Sequence, residues 1–201
     1  MATIEKTRAI VEADETYDGK IVPTTQAEID RRVSIYEDAT VEGGVYGETV
    51  ELEGGTVEGS VMASEGVEFD GGTVHGELGT DGRVVGSNAT VYGSVTGKRV
   101  RLTDSIVYGN VVGTDVILED CAVIGIVTAE RKTTLEGTLC YTFKSYGEAT
   151  LADASVVLPQ AIVEGEVRFK SPVAVTGLVE VAVQQVDGIR GRHGHEVVVV
   201  L

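Results

Sequence analysis

The residues best suited to chemistry in this chain are three histidines and two cysteines. His75 stands alone within a repeated segment, whereas His193 and His195 lie in the glycine-rich stretch DGIRGRHGH. Imidazole nitrogens bind zinc, but a zinc site needs about four ligands, and two would have to come from elsewhere. We therefore interpret the DGIRGRHGH stretch as a loop and His75 as a surface residue, and we predict no metal site.

No catalytic motif accompanies these residues. The sequence contains no HExxH, GxSxG, CxxC or Walker-type phosphate loop. Gly-x-x-Gly spacings are frequent, but none begins a helical pattern that could bind a phosphate. Cys121 and Cys140 occupy different positions of the repeat described below, with Cys140 at an outward position, so we expect free thiols. We therefore predict a protein with no catalytic residues, no cofactor and no enzymatic activity.

The composition narrows the range of partners. Of 201 residues, 32 are Asp or Glu and 16 are Lys or Arg, which gives a formal net charge of −16. Phosphate binding needs basic clusters, so nucleic acid is excluded as a partner and direct membrane binding is disfavoured. Molar salt would screen the carboxylates from one another, and this acidity is typical of proteins from salt-accumulating archaea. The polar start MATIEKTR and the lack of a long apolar run predict a cytoplasmic protein.

A repeat of 16 or 17 residues fills most of the chain. Its pattern is a small residue, Thr, an aliphatic residue, any residue and Gly. Copies begin at Ala39, Gly55, Gly72, Ala89, Ser105 and Cys121, and a weaker copy begins at Gly137. Two further short apolar elements follow within each period, so one period holds three short strands with alternating inward and outward side chains.

Three short strands in one period cannot form ordinary hairpins, because the chain would reverse repeatedly with no long strand to pair. If each period is instead one turn of a coil, each strand pairs in parallel with its counterpart about 4.8 Å away in the next turn. The rest of the coil then supplies the crossover that parallel strands require. We therefore predict an all-β fold, a single-stranded parallel β-helix with three short strands per 16–17-residue coil.

The repeat divides the chain into three parts. Residues 1–32 lack the pattern and are predicted to be a polar segment that is partly disordered or that caps the first coil. Residues 33–184 are predicted to form the β-helix core, with Pro159 and Pro172 at corners. Residues 185–201 are predicted to form a loop followed by the apolar strand EVVVVL.

Two surfaces are candidates for protein contacts. The terminal strand contains no Lys and no helix-forming run follows it, so we predict that it pairs with another copy as a polymer end. This end interface comprises Val197, Val198, Val199, Val200 and Leu201. A lateral face of outward apolar residues comprises Tyr92, Ile106, Tyr108, Ala122 and Ile124. The alternative for this lateral face is that a tail or loop of the same chain covers it.

The tandem VxGxVxGxxVxL coils of residues 33–169 resemble those of bactofilins, a family of polymer-forming, β-helical cytoskeletal proteins. With its acidic composition the chain resembles the haloarchaeal members, the halofilins. The resemblance implies a right-handed β-helix, nucleotide-free end-to-end polymerisation and a role in cell shape near the inner face of the cell membrane. The implied partners are other copies of the chain and another cytoskeletal or envelope protein. MATIEKTR departs from the membrane-targeting start of bacterial members.

Two other functions stay open from the sequence. Hexapeptide-repeat acyltransferases and carbonic anhydrases are also coiled, but their left-handed coils take about 18 residues per turn. They also use histidines within the coils, where this chain has His75 alone. The second alternative is a monomeric β-helical adaptor that docks one partner on the lateral face.

Overall fold

The computed structural model describes residues 2–25, 28–153, 155–171, 173–175 and 178–184. Within these residues the regular structure is all β, and the strands wind into a parallel β-solenoid of about eight turns. This confirms the predicted all-β, parallel β-helical architecture.

The described residues contain 21 strands, numbered here in chain order. The first ten are β1 Thr3–Ile4, β2 Arg8–Val11, β3 Thr16–Tyr17, β4 Arg32–Ile35, β5 Thr40–Val41, β6 Val45–Glu53, β7 Thr56–Val57, β8 Val61–Asp70, β9 Thr73–Val74 and β10 Leu78–Thr80. The others are β11 Arg83–Ser87, β12 Thr90–Val91, β13 Val95–Thr103, β14 Ile106–Val107, β15 Val111–Glu119, β16 Ala122–Glu136, β17 Leu139–Ser145, β18 Glu148–Ala152, β19 Val156–Phe169, β20 Ala174–Val175 and β21 Leu178–Gln184.

Successive turns pair in parallel, so that equivalent side chains stack. β6 pairs with β8 and places Val45 beside Val61, and β13 pairs with β15 and places Val95 beside Val111. Every second side chain points inward, and the stacked inward residues form one continuous buried core. One inward column consists of Val33, Val50, Val67, Val84, Val100, Val116, Thr133, Ala149 and Val167.

Several strands are longer than the sequence predicts. In β6 the second and third apolar elements of one period run together, and the pairing with β8 shifts register between Gly47 and Thr49. In β16 the chain stays extended over 15 residues. The backbone therefore bends at some corners without interrupting the strand.

One corner of the turn requires a left-handed backbone. Its non-glycine residues have φ between 48° and 61° and are Asp14, Asp38, Asn88, Asp104, Asp120 and Asp153. In the remaining turns Gly54, Gly71 and Gly137 occupy it, also with positive φ. Asp, Asn and Gly tolerate this region better than other residues. The corner amides join the turns, because the N–H of Gly71 donates to the carbonyl of Ser87 over 2.8 Å. This backbone requirement explains why Asp, Asn and Gly recur between the strands.

Residues before the recognisable repeat also belong to the solenoid. β2 pairs in parallel with β4, β3 pairs with β5, and Ile21 forms a bridge to Val45. The sequence pattern placed residues 1–32 outside the β-helix core, whereas the structure places residues 8–21 in a turn of it. The period is hidden because Tyr17 pairs with Val41, which lies 41 − 17 = 24 positions later.

The edge of β2 that faces away from β4 is covered by β1. β1 runs antiparallel to β2, with Ile4 beside Ala9. Arg31, which is only 4% exposed, fixes this arrangement. Its Nε donates to the carbonyl of Glu5 over 2.8 Å, and its Nη2 lies 3.2 Å from Oε2 of Glu28. The first residues of the chain therefore cap one strand of the first turn.

Candidate functional site

His75 lies on the surface, directly after β9, and its side chain is exposed. Its ring stacks on that of Tyr92 with centroids 4.9 Å apart, and its Nδ1 lies 3.7 Å from Oε2 of Glu58. Among the described residues no three His, Cys, Asp or Glu side chains converge as metal ligands. His193 and His195 lie outside the described residues, as does Pro172.

Both cysteines are buried free thiols. The prediction that Cys140 points outward was wrong, because Cys140 is fully buried beside Val123 in an inward column. This turn has 17 residues rather than 16, so the repeat restarts at Thr138 instead of Gly137. Burial raises the pKa of the Cys140 thiol to about 12 and that of Cys121 to about 11. Both thiols are protonated at neutral pH and are poor nucleophiles.

A column of buried polar groups was missed by the sequence reasoning. It occupies the small-residue position of the repeat in four successive turns and consists of Ser105, Cys121, Thr138 and Ser155. The Ser155 hydroxyl accepts the N–H of Thr138 over 3.2 Å, and the Thr138 hydroxyl donates to the carbonyl of Glu136 over 2.9 Å. The bond between Thr138 and Ser155 links neighbouring turns, and both bonds satisfy groups that would be costly to bury alone. The column therefore serves the fold.

The five residues of the predicted lateral face lie together on one side of the solenoid. Tyr92, Tyr108 and Ile106 are 49%, 47% and 41% exposed. Ala122 and Ile124 are half-buried, and Ala122 lies beside Ile106 in the next turn. The Tyr92 and Tyr108 rings stack with centroids 4.9 Å apart and planes 4° from parallel. The structure thus assembles the surface, and its role as a contact site stays a prediction.

The apolar surface continues over two more turns than the sequence indicated. Register places Leu139 beside Ala122, and Val156 beside Leu139. Tyr141 is 48% exposed and Leu158 is half-buried on the same side. We call the lateral face together with Leu139, Tyr141, Val156 and Leu158 the extended lateral face. These four residues were missed because their two turns lack the glycine that ends each earlier copy of the repeat motif.

The same side of the solenoid is polar in the earlier turns. Thr56, Thr73 and Thr90 stack at the position that Ile106 occupies later. Glu42 and Glu58 occupy the position that Tyr92 and Tyr108 occupy later, as the repeat pattern shows. One face of the molecule therefore changes from acidic and polar to aromatic and aliphatic along its length.

The first and last described turns of the solenoid differ in their strand pairing. At the start, β3 and Ile21 each pair with the next turn on one edge, and no described strand pairs with the other edge. At the other end, β20 and β21 each pair with β19. The predicted polymer end interface, residues 197–201, lies outside the described residues.

Similarity assigns no function to these surfaces. Comparison of the chain with known protein families, with curated proteins and with solved structures finds no match. The part of the chain that the structure describes holds no helix with the length and apolar character that a membrane span requires.

Proposed function

We propose that this chain is a non-enzymatic scaffold that assembles end to end, with the rim of one β-solenoid stacking on the rim of another copy. The observation that carries the proposal is the strand edge of the first turn. Among the described residues, β3 and Ile21 have a partner on one edge alone. A strand edge with unpaired peptide groups is a template for another strand, and stacking would continue the core between subunits.

On this strand edge of the first turn, the peptide groups that face away from the second turn are those of Thr16. The carbonyls of Glu15 and Tyr17 accept the N–H groups of Thr40 and Glu42, so these carbonyls face the second turn. Neighbouring residues of a strand direct their peptide groups to opposite edges. The N–H and C=O of Thr16 therefore face away from the second turn and are available to another chain.

The proposal includes a right-handed coil with three strands per turn. Three inward columns, represented by Val41, Val45 and Val50, support the count of three. The right-handed winding and nucleotide-free polymerisation rest on the resemblance to bactofilins. Residues 197–201 are proposed as the polymer interface at the other end.

The proposed cellular role is that of a cytoskeletal element in the cytoplasm, near the inner face of the membrane, that contributes to cell shape. Its partners would be other copies of itself and another cytoskeletal or envelope protein. The net charge of −16 supports a salt-rich cytoplasm such as that of a halophilic archaeon, where stacked copies would repel one another weakly.

Electron microscopy and sedimentation velocity of the purified protein at low and at molar salt test this function. We expect filaments that shorten or vanish in Thr16→Pro, because proline removes the N–H that faces the rim. Thr16→Ala keeps that N–H and is the matched control, which should assemble like the wild type. Wild-type protein that stays monomeric in every condition would overturn the proposal. If Thr16→Pro assembles like the wild type, the edge of β3 is not part of the polymer interface.

A further inference from the structure

The extended lateral face is free of acidic residues in a chain that is rich in them. From Tyr92 to Leu158 its two outward columns contain Tyr92, Ile106, Tyr108, Ala122, Ile124, Leu139, Tyr141, Val156 and Leu158. The chain as a whole carries 32 Asp and Glu. Contiguous exposed apolar surface of this kind marks contact sites.

The surface is also preorganised for binding. Its strands belong to the solenoid sheet, and the stacked rings of Tyr92 and Tyr108 support each other. Tyr offers a large contact area with few rotatable bonds, so binding orders little that is not already ordered. A rigid, flat, apolar surface fits another surface of the same kind.

An acid-free surface on an acidic chain suits a partner that is itself acidic, such as a second copy, and the charge distribution also fixes the orientation of that copy. Two chains of charge −16 repel each other, and the repulsion is weakest where the facing surfaces lack acidic residues. With parallel solenoid axes, Glu42 and Glu58 of both copies would be brought into one region. With antiparallel axes, these acidic turns lie beyond opposite ends of the paired apolar surfaces.

We infer that the extended lateral face pairs two copies of this chain side by side, with antiparallel solenoid axes. The twofold axis lies between the two copies, parallel to the strands and level with the turn of Ile124. Each outward column therefore faces the same column of the other copy, with the order of the turns reversed. Ile124 then faces Ile124 of the other copy, Tyr108 faces Tyr141, and Tyr92 faces Leu158. This pairing is distinct from end-to-end stacking and does not require it.

The left-handed corner borders this interface and adds one unfavourable contact. Along this corner the turn of Ile124 contains Asp120, so the axis brings Asp120 close to Asp120 of the other copy. Asp104 instead lies opposite Gly137. The corner is exposed to solvent, so the repulsion falls with added salt. Self-pairing should therefore strengthen as salt rises, which is the opposite of an interface held by ion pairs.

The size of the surface predicts a weak pair. Five stacked turns span about 19 Å, at about 4.8 Å per step. A stable dimer buries about 800 Å² per partner, which is more than two columns of this length supply. Single subunits should therefore exchange between monomer and dimer, whereas subunits held in one stack would pair cooperatively.

Cross-linking tests the orientation in the full-length chain. Single cysteines are introduced by Ile124→Cys, Tyr92→Cys and Leu158→Cys, while the buried native thiols are retained. A thiol-specific reagent of about 10 Å reach spans two packed sheets. We expect Ile124→Cys to cross-link with itself, and Tyr92→Cys to cross-link with Leu158→Cys but not with itself. Cross-linking of Tyr92→Cys with itself, or yields no higher than those of Tyr146→Cys, would overturn the proposal.

Sedimentation equilibrium tests the surface through its affinity. Tyr108→Glu should raise the dissociation constant of the pair by about a hundredfold or more, because the axis places the new charge in the interface twice. Tyr146→Glu is the matched control, since Tyr146 is 46% exposed and Tyr108 is 47% exposed. Asp120→Asn, which tolerates the left-handed corner, should lower the dissociation constant.

Three results would contradict self-pairing. If Tyr108→Glu and Tyr146→Glu change the dissociation constant equally, the extended lateral face is not the contact between the copies. Weaker pairing of Asp120→Asn would contradict the antiparallel axis. A dimer that forms only after removal of residues 185–201 would identify cover by the same chain. If filaments fail to form but the cross-links appear as expected, end-to-end stacking fails and lateral pairing stands.

Discussion

The early and late turns of this solenoid share one winding but cross the same corner by different means. In the early turns two-residue strands such as β7 and β9 end two residues before a corner glycine, and the corner glycines stack closely. A Cβ at Gly93 would lie 2.4 Å from the carbonyl oxygen of Gly76. In the late turns β19 crosses this corner as one strand of 14 residues, and Pro159 lies at the register shift.

The outward side chains differ between the two regions as well, whereas the inward columns stay mostly apolar in both. Thr and Glu line the lateral side of the early turns, and Tyr, Ile and Leu line it in the late turns. The comparison teaches that the inward pattern and the corner geometry specify the coil. The outward positions are left to determine what each region contacts.

The largest effect should come from the glycine corner of the early turns. We expect Gly93→Ala to lower the free energy of unfolding by about 3 kcal/mol, because the new methyl group would overlap backbone atoms of Gly76 that cannot move away. Urea denaturation followed by circular dichroism measures this change. Tyr141→Ala, at an exposed position next to this corner in a late turn, is the control and should change stability by less than about 0.5 kcal/mol. Equal losses would mean that the corners are equivalent.

A smaller effect should come from the buried polar column of the late turns. We expect Thr138→Val to lower the free energy of unfolding by about 1–2 kcal/mol, because the buried amide of Cys121 and the carbonyl of Glu136 lose the hydroxyl that pairs with them. Thr90→Val on the outward side of an early turn is the matched control, with little change expected. A stable Thr138→Val protein would show that the column is replaceable by apolar packing.

The smallest effect concerns an ion pair that joins two neighbouring turns. Arg131 of β16 pairs with Asp115 of β15, and its Nε donates to Oδ1 of Asp115 over 2.8 Å. The hydrogen bond from Arg131 holds the pKa of Asp115 below its ordinary value of 3.8. A lowered carboxyl pKa stabilises the fold above the ordinary value, and this contribution is lost as the pH falls through the lowered pKa.

Acid titration of stability checks this pair. Between pH 6 and pH 3 the wild type should lose slightly more stability than Arg131→Gln, because exposed pairs contribute little. Identical pH profiles for the two proteins would show that the pair contributes nothing to the stability of the contact between β15 and β16.

The turns from Ala39 to Cys121 could be predicted from the sequence because a valine followed two positions later by glycine marks every period. Each copy from Ala39 to Cys121 lies in the register that the sequence indicated. β11 gives a weaker signal, because Gly86 lacks an inward side chain and Phe69 of the preceding turn fills its place. A Cβ at Gly86 would lie 1.8 Å from Cε2 of Phe69.

The late and first turns were harder because their length changes. A single extra residue before Thr138 shifts every following inward position, which placed Cys140 on the wrong side. The long first turn hid the pairing of Tyr17 with Val41. For the lateral face, the alternation of side chains sufficed to place Tyr92 and Tyr108 outward. Its extension to Leu158 needed the register of β17 and β19, which only the backbone shows.

The long first turn has a consequence for the dimensions of the molecule. Tyr17 and Val41 are 24 positions apart, whereas Val41 and Val57 are 16 apart, yet each pair stacks side by side. The additional residues lie between Ile21 and Arg32, outside the stacked positions, and leave the rise of the coil unchanged at about 4.8 Å. The length of the solenoid along its axis is therefore set by the number of turns and does not follow from the number of residues alone.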